Sequence, residues 1–254
     1  MSDPLAPIAE GLRESDPDRF GASLILPPDA RGRIWTLYAL NNELARAPLQ
    51  ANEPLIAEMR LQWWADQLDR IGRGDVSAHD LLGPLAEAWG DDAAVLVDLV
   101  EARRRDCYRE PFSQVEDVLA YVRATSGALM RHAVLTLGAP SGADGPAQDH
   151  ALGTGLAHWL AALPQLDALG MGLARPDPAL LSELAGQGLQ ALGRARAARR
   201  QVPRRIAPVL FRGIGHTAAL REIAASGKPA PIAASEFRRR FALGRLALTG
   251  RWWE

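Results

Sequence analysis

LYALNNELARA, residues 37–47, is the stretch on which the fold class turns. Leu37, Leu40 and Leu44 recur at the spacing of one buried helical face. Asn41, Asn42 and Glu43 interrupt that face together. A surface helix would carry them toward water, and a helix lining a polar cavity would carry them inward.

Composition favours helix throughout. The chain has 254 residues, 48% of them hydrophobic, enough to bury a large core. Ala, Leu and Arg are abundant while Val, Ile and Thr are sparse, so helix formers outweigh strand formers. The expectation is an all-α chain forming one domain, residues 1–254. Lys228 is the single lysine, and the formal net charge is -1. No global field points to nucleic acid, and no nucleic-acid partner is expected.

Cys107 is the single cysteine, so no internal disulfide can form, and a reducing cytoplasm is the simpler expectation. The opening MSDPLAPIAEGL lacks the basic and apolar regions of a signal peptide and reads as a mature start. The longest apolar run free of Asp, Glu, Lys and Arg, 151–166, is shorter than the roughly 20 residues of a membrane span. It reads as a buried helix.

Prolines and glycines punctuate the rest. Asp16 and Pro17 open a helix to about Leu26. The next runs from about 29 to 47, and another opens at Asn52 with Pro54 in its first turn and continues to Ile71. Further helices are expected at about 79–89, 92–109, 114–137, 147–169, 178–200, 203–225 and 234–252. The connector SGADGPAQ, 141–148, is the candidate hinge.

Familiar chemical templates fail. His79, His132, His150, His158 and His216 lack zinc-site spacing, and no metal site is expected from them. There is no nucleophile elbow, phosphate loop or dinucleotide fingerprint. In EMRLQWWADQLDRI, 58–71, Leu61, Trp64, Leu68 and Ile71 form one stripe, and Met59, Trp63 and Gln67 form a second. That pattern predicts burial on two sides. Asp66 with Arg70, and Asp69 with Arg73, have the spacing of helical ion pairs. Trp63 and Trp64 suit core packing or a ligand-stacking role.

DPDRFGASLILPPDARGRIWTLYALNNELARA (16–47), EPLIAEMRLQWWADQL (53–68) and EDVLAYVRATSGALM (116–130) come in the order and spacing of the squalene and phytoene synthases. The chain resembles that family over nearly its whole length. The resemblance implies an isoprenoid-synthase fold, a helical bundle around a central cavity, with two Asp-rich motifs holding Mg²⁺ and substrate diphosphates. Tyr38, Asn41, Asn42 and Glu43 would then face the cavity. Family acids are expected at the places of Ala45, Arg46 and Leu49, and again near Ala162 and Leu166, with an Asn near His158. Neither set is acidic here, and Asp167 is one residue off. Glu43 is expected to pair with Arg46.

Arg60, Trp63, Trp64, Asp106 and Tyr121 are the remaining candidate cavity or ligand residues, and Glu116 and Asp117 also match the family pattern. No catalytic residue and no cofactor is expected, Mg²⁺ entering only if the chain is an active prenyltransferase. The chain is most similar to an acid-depleted branch that includes a mitochondrial assembly factor for respiratory complex I and its bacterial relatives. That resemblance implies complex I assembly intermediates as partners, and an isoprenoid or lipid as ligand. Alternatives are an active Mg²⁺-dependent synthase or a non-catalytic lipid carrier.

Two basic regions complete the reading. Arg194, Arg196, Arg199, Arg200, Arg204 and Arg205 lie in a stretch without acids. They suit a solvated helix end or a grip on phosphate, a lipid headgroup or an acidic partner. In 235–254, Phe237, Phe241, Leu248 and Trp252 fall near one face with arginines elsewhere, a pattern for peripheral contact with the inner face of the membrane or for a closing helix.

Overall fold

The computed structural model describes residues 3–254. It is helical throughout: among the described residues no strand forms, and the single β-bridge joins Phe112 to Leu173. Two compact units divide at Tyr108 and Arg109.

The first unit contains α1 (Ala6–Ser15), α2 (Pro17–Ser23), α3 (Pro28–Arg46), α4 (Pro54–Ile71), α5 (Leu82–Trp89), α6 (Val97–Glu101) and α7 (Arg104–Tyr108). Proline sits in the first turn of α1 to α4, where its missing N–H breaks no helical bond. Asp16 caps α2 by accepting from the Arg19 N–H at 3.0 Å. Leu37, Leu40 and Leu44 of α3, Leu61 and Leu68 of α4, and Leu82 and Leu85 of α5 are fully buried, each contributing about 1.5–3 kcal/mol through apolar transfer. Trp89 ties α5 to α3, its indole N–H donating to Thr36 Oγ1 at 3.2 Å, while Arg33 lies 4.9 Å over its ring.

The segments expected at 79–89 and 92–109 are shorter and broken. A bend precedes Leu82, a 3-10 stretch covers Gly90–Leu96, and Ala102 and Arg103 separate α6 from α7. Gly90 takes positive φ where α5 ends.

The second unit contains α8 (Val115–Val122), α9 (Ala128–Thr136), α10 (Asp144–Ala161), α11 (Leu163–Ala168), α12 (Pro178–Ala197), α13 (Ala207–Leu210), α14 (His216–Ser226) and α15 (Glu236–Thr249). A π turn, Arg123–Gly127, joins α8 to α9. α10 packs along α12, and α12 on α14. Gly153 permits the first contact: a Cβ there would meet Leu192 Cγ at 2.5 Å and the Gly188 carbonyl at 2.9 Å.

Three expectations in this unit are corrected. The 141–148 connector is not a hinge, because Ser141–Ala143 forms a 3-10 turn that runs straight into α10. The 147–169 helix breaks at Ala162, and Pro164 lies in the first turn of the α11 that follows. The 203–225 helix does not form: Arg204–Ile206 is 3-10, α13 is one turn, and Gly213 and Gly215 adopt φ of 92° and 107°. Gly215 is also crowded, since a Cβ would lie 2.9 Å from the Ala233 carbonyl.

Candidate functional site

The opening stretch lies in the last turns of α3. Tyr38 is buried, with Arg19 stacked 5.0 Å over its ring. Asn41, Asn42, Glu43 and Ala45 are half-buried, whereas Arg46 and Leu49 are exposed. Asn42 faces α1 and its amide donates to Ser15 Oγ at 3.0 Å. Glu43 Oε1 lies 3.9 Å from Arg46 NH1. Asn42, Glu43 and Arg46 line a groove of about 630 Å³ with Glu14 and Ser15 of α1 and with His79 and Asp80.

That groove brings Glu14, Glu43 and Asp80 to one concavity, but among the described residues no three Asp, Glu, His or Cys side chains converge as a metal cluster. Ala45 and Leu49 offer no side-chain oxygen, and Arg46 adds positive charge. α3 also ends at Arg46, and Ala47–Gln50 continues as a 3-10 turn with Pro48 buried. The side chains here do not fit a magnesium cradle, which needs hard oxygen donors and excess negative charge.

The LQWW block occupies the middle of α4. Leu61, Trp64, Leu68 and Ile71 are buried as their spacing predicts. The second stripe is not: Gln67 is buried, but Trp63 is 39% and Met59 64% exposed. With Leu55 and Ile56, they leave an apolar outer face on α4. Trp63 and Trp64 meet edge-to-face at 4.9 Å, and His79 contacts both. Arg60 is exposed and donates to Gln50 Oε1 at 3.2 Å.

One expected ion pair changes partner. Asp69 holds Arg73 at 2.6 Å, but Arg70 reaches Asp75 at 2.8 Å while Asp66 accepts from Gln62. The turn through Gly72 and Gly74 returns Asp75 to Arg70, where its N–H also bonds the Arg70 carbonyl. α7 is tied to α4 by Arg104, which donates to Glu58 and Gln62 at 2.8 Å each. Asp106 is buried, 3.3 Å from Arg103 NH1. Burial, then the charges of Glu58 and Asp106, push the adjacent Cys107 thiol up to about 11, so it is not a thiolate nucleophile at neutral pH.

In the second unit, His158 is exposed in the last turn of α10, its Nδ1 2.8 Å from the Thr154 carbonyl. Ala162 sits at the break before α11, and Leu166 is half-buried. Asp167 is exposed and accepts the Leu173 N–H at 3.3 Å, so the one nearby acid holds a turn. These side chains supply no second cradle either. Tyr121 packs its ring 5.3 Å from Phe112 against the core. Glu116 and Asp117 are exposed in the first turn of α8, where their charge favours the helix dipole.

Several of the arginines free of local acids have distant partners. Arg194 forms a bidentate pair with Asp149, Arg204 donates to the Ala247 and Leu248 carbonyls of α15, and Arg205 to the Gly138 carbonyl. Phe237, Phe241 and Leu248 stand 79%, 63% and 78% exposed on one face of α15. Trp252 leaves that face: Gly250, in the left-handed region, ends the helix, and Trp252 is buried against His150 with ring centroids 4.8 Å apart. Glu254 makes its contacts 37 and 38 residues away, with Thr217 and His216, and no local pattern signals them.

A sequence model of the squalene/phytoene synthases matches residues 12–161. Assembly factor 6 of NADH dehydrogenase (ubiquinone) complex I from Bos taurus and from Homo sapiens is in each case 28% identical over 131 residues, 48% of this chain. The aligned region spans 37% of those curated relatives. A dehydrosqualene synthase solved in complex with ligand superposes with a TM-score of 0.75 at 14% identity, covering 96% of this chain and 98% of that one. Squalene synthase HpnC from Alicyclobacillus acidocaldarius gives 0.73 at 17% identity, covering 88% and 95%. At these identities the likeness shows the fold alone, an isoprenoid-synthase fold.

Proposed function

This chain belongs to the squalene/phytoene synthase family, and from that premise we propose that it is a non-catalytic member acting as an assembly factor for respiratory complex I. The observation that carries this reading is the donor set. Where the resemblance leads one to expect acids, the chain has Ala45, Arg46, Leu49, Ala162 and Leu166, and the acids beside them, Glu43 and Asp167, are engaged with Arg46 and the Leu173 N–H. Ionising an allylic diphosphate needs metal charge opposite the departing group, and these residues do not supply its ligands.

The likeness to complex I assembly factor 6 supports a protein partner, namely assembly intermediates of that complex. The family match crosses the division between the two units, which supports treating 1–254 as one synthase-like domain. No helix among the described residues is long and apolar enough to cross a membrane. The exposed face of α15 supports peripheral contact with the inner face of the membrane through 235–254.

Deleting the gene in its host and following complex I by native gel and NADH oxidation tests the proposal. Loss of the assembled complex is expected. Unchanged complex I with an altered isoprenoid profile overturns it. One observation favours a second reading, an active synthase: Glu14, Glu43 and Asp80 share a groove. Diphosphate release from farnesyl or geranylgeranyl diphosphate with Mg²⁺, abolished by Glu43→Gln, would establish that reading instead.

A further inference from the structure

A second cavity, of about 580 Å³, lies wholly within the second unit, between α10, α12, α14, the start of α15 and residues 252–254. His158, Ala162 and Leu166 are not among its walls. Arg196 of α12, Arg221 of α14 and Arg238 of α15 bring three guanidinium groups to it. No carboxylate among the described residues pairs with any of the three. The one acid in the lining, Glu254, is already held by the His216 ring and by the first N–H groups of α14. The walls therefore keep an excess of positive charge.

An independent feature points to an occupant. His150 lines the same cavity at 5% exposure, and its Nε2 has no hydrogen-bond partner. Burial, with His216 and Arg212 adding, holds its pKa down at about 3, so the ring is neutral. A buried polar atom without a partner is uncommon in a folded chain and marks a place for a hydrogen-bonding group. Leu189, Leu192 and Trp252 supply apolar wall beside it. Guanidinium forks match phosphate oxygens in shape and charge. The volume exceeds what one phosphate fills, leaving room for the carbon skeleton of an ester.

We propose that this cavity binds a phosphate ester, with the phosphate held by Arg196, Arg221 and Arg238 and a hydroxyl of the ligand meeting His150. The ester is either a lipid headgroup or a soluble phosphorylated molecule. Arg238 immediately follows Phe237 on α15, so a headgroup could reach the cavity from a membrane lying on that exposed face. The site does not depend on the assembly role and stands if that role is disproved.

The test uses the purified full chain, with Arg196→Gln/Arg221→Gln as the site variant and Phe237→Ser/Phe241→Ser as the membrane-face variant. Circular dichroism checks that both are folded. Inorganic phosphate in low-salt buffer is titrated by calorimetry, and vesicles of phosphatidylcholine with and without phosphatidylglycerol are tested by co-sedimentation. For the wild type, phosphate binding that weakens about tenfold or more in the site variant supports the cavity. If binding to phosphatidylglycerol vesicles falls by the same factor in that variant, the source is a headgroup. If vesicle binding is unchanged there while phosphate binding is lost, the source is a soluble ester. No binding of either probe by the wild type, or a site variant within about twofold of wild type in both arms, overturns the proposal.

Discussion

The Glu254 carboxylate caps α14 from the far end of its unit: Oε1 accepts the His216 backbone N–H at 2.9 Å and lies 3.0 Å from His216 Nδ1. Oε2 accepts the Thr217 N–H at 3.2 Å. Gly215, which precedes the helix, has no side chain to do this, so a distant carboxylate fills the role of an N-cap.

Glu254→Gln keeps the shape but removes the charge. It is expected to lower unfolding stability by about 1–2 kcal/mol at neutral pH, as loss of a charged cap does. Burial pushes the carboxyl up, but the His216 ring and the His216 and Thr217 N–H groups outweigh it and hold the group at about 2, below its ordinary 4.5. A lowered folded pKa gives stability that is present above the unfolded value and lost as pH falls through the folded one. The difference between wild type and variant should therefore be constant above about pH 5 and shrink between pH 4.5 and 2. Urea unfolding across that range checks it. A difference that stays flat down to pH 2 contradicts the cap.

Gly153→Ala tests the α10–α12 contact. Its Cβ would press on Leu192 and on the Gly188 carbonyl, and a backbone oxygen cannot rotate away. Helix propensity alone would favour Ala by up to about 1 kcal/mol. Overpacking costs about 1–3 kcal/mol and should win, so chemical denaturation is expected to show a net loss. A stabilised variant would mean that α10 and α12 are not in close contact there.

The elements legible beforehand were those set by local punctuation. Asp16 with Pro17, and Pro54, mark the starts of α2 and α4, because a side-chain acceptor or a missing N–H acts within one turn. The buried stripe Leu61, Trp64, Leu68 and Ile71 followed from period alone. Met59 and Trp63 did not, since periodicity tells which residues share a face but not what covers it. Gly213 and Gly215 break the run after Arg204 through positive φ, which an Ala/Leu/Arg-rich pattern conceals. Arg194–Asp149 and Glu254–His216 join residues 45 and 38 apart, and no local signal announces such pairs. The same applies to the cavity at His150, whose walls come from five separate segments.

Cys107 is expected to be inert in the folded chain. Burial first, then Glu58 and Asp106, raise its thiol to about 11 from 9, and the thiolate is the reactive form. A disulfide reagent at pH 8 should label it far more slowly in the native protein than in urea. A raised thiol pKa also means that stability is retained below pH 9 and falls between pH 9 and 11, as the unfolded chain ionises first. Cys107→Ser should flatten that alkaline loss. Rapid native labelling at pH 8 would show that the helix containing Cys107 opens readily.

Phe237→Ser/Phe241→Ser separates folding from membrane contact. Both rings are mostly exposed and stack on each other, centroids 6.5 Å apart, rather than in the core. Surface changes of this kind usually alter stability by less than about 0.5 kcal/mol, so thermal unfolding should barely move. At a membrane the same rings would be buried, each contributing about 1.5–3 kcal/mol. Opposite them, Ala242 and Leu246 are buried and hold α15 to its unit, so the outer stripe alone is available to lipid. Partition onto anionic vesicles is expected to fall by at least about tenfold while stability holds. If stability falls with unchanged partition, the two phenylalanines serve the fold and the lipid-facing assignment of α15 fails.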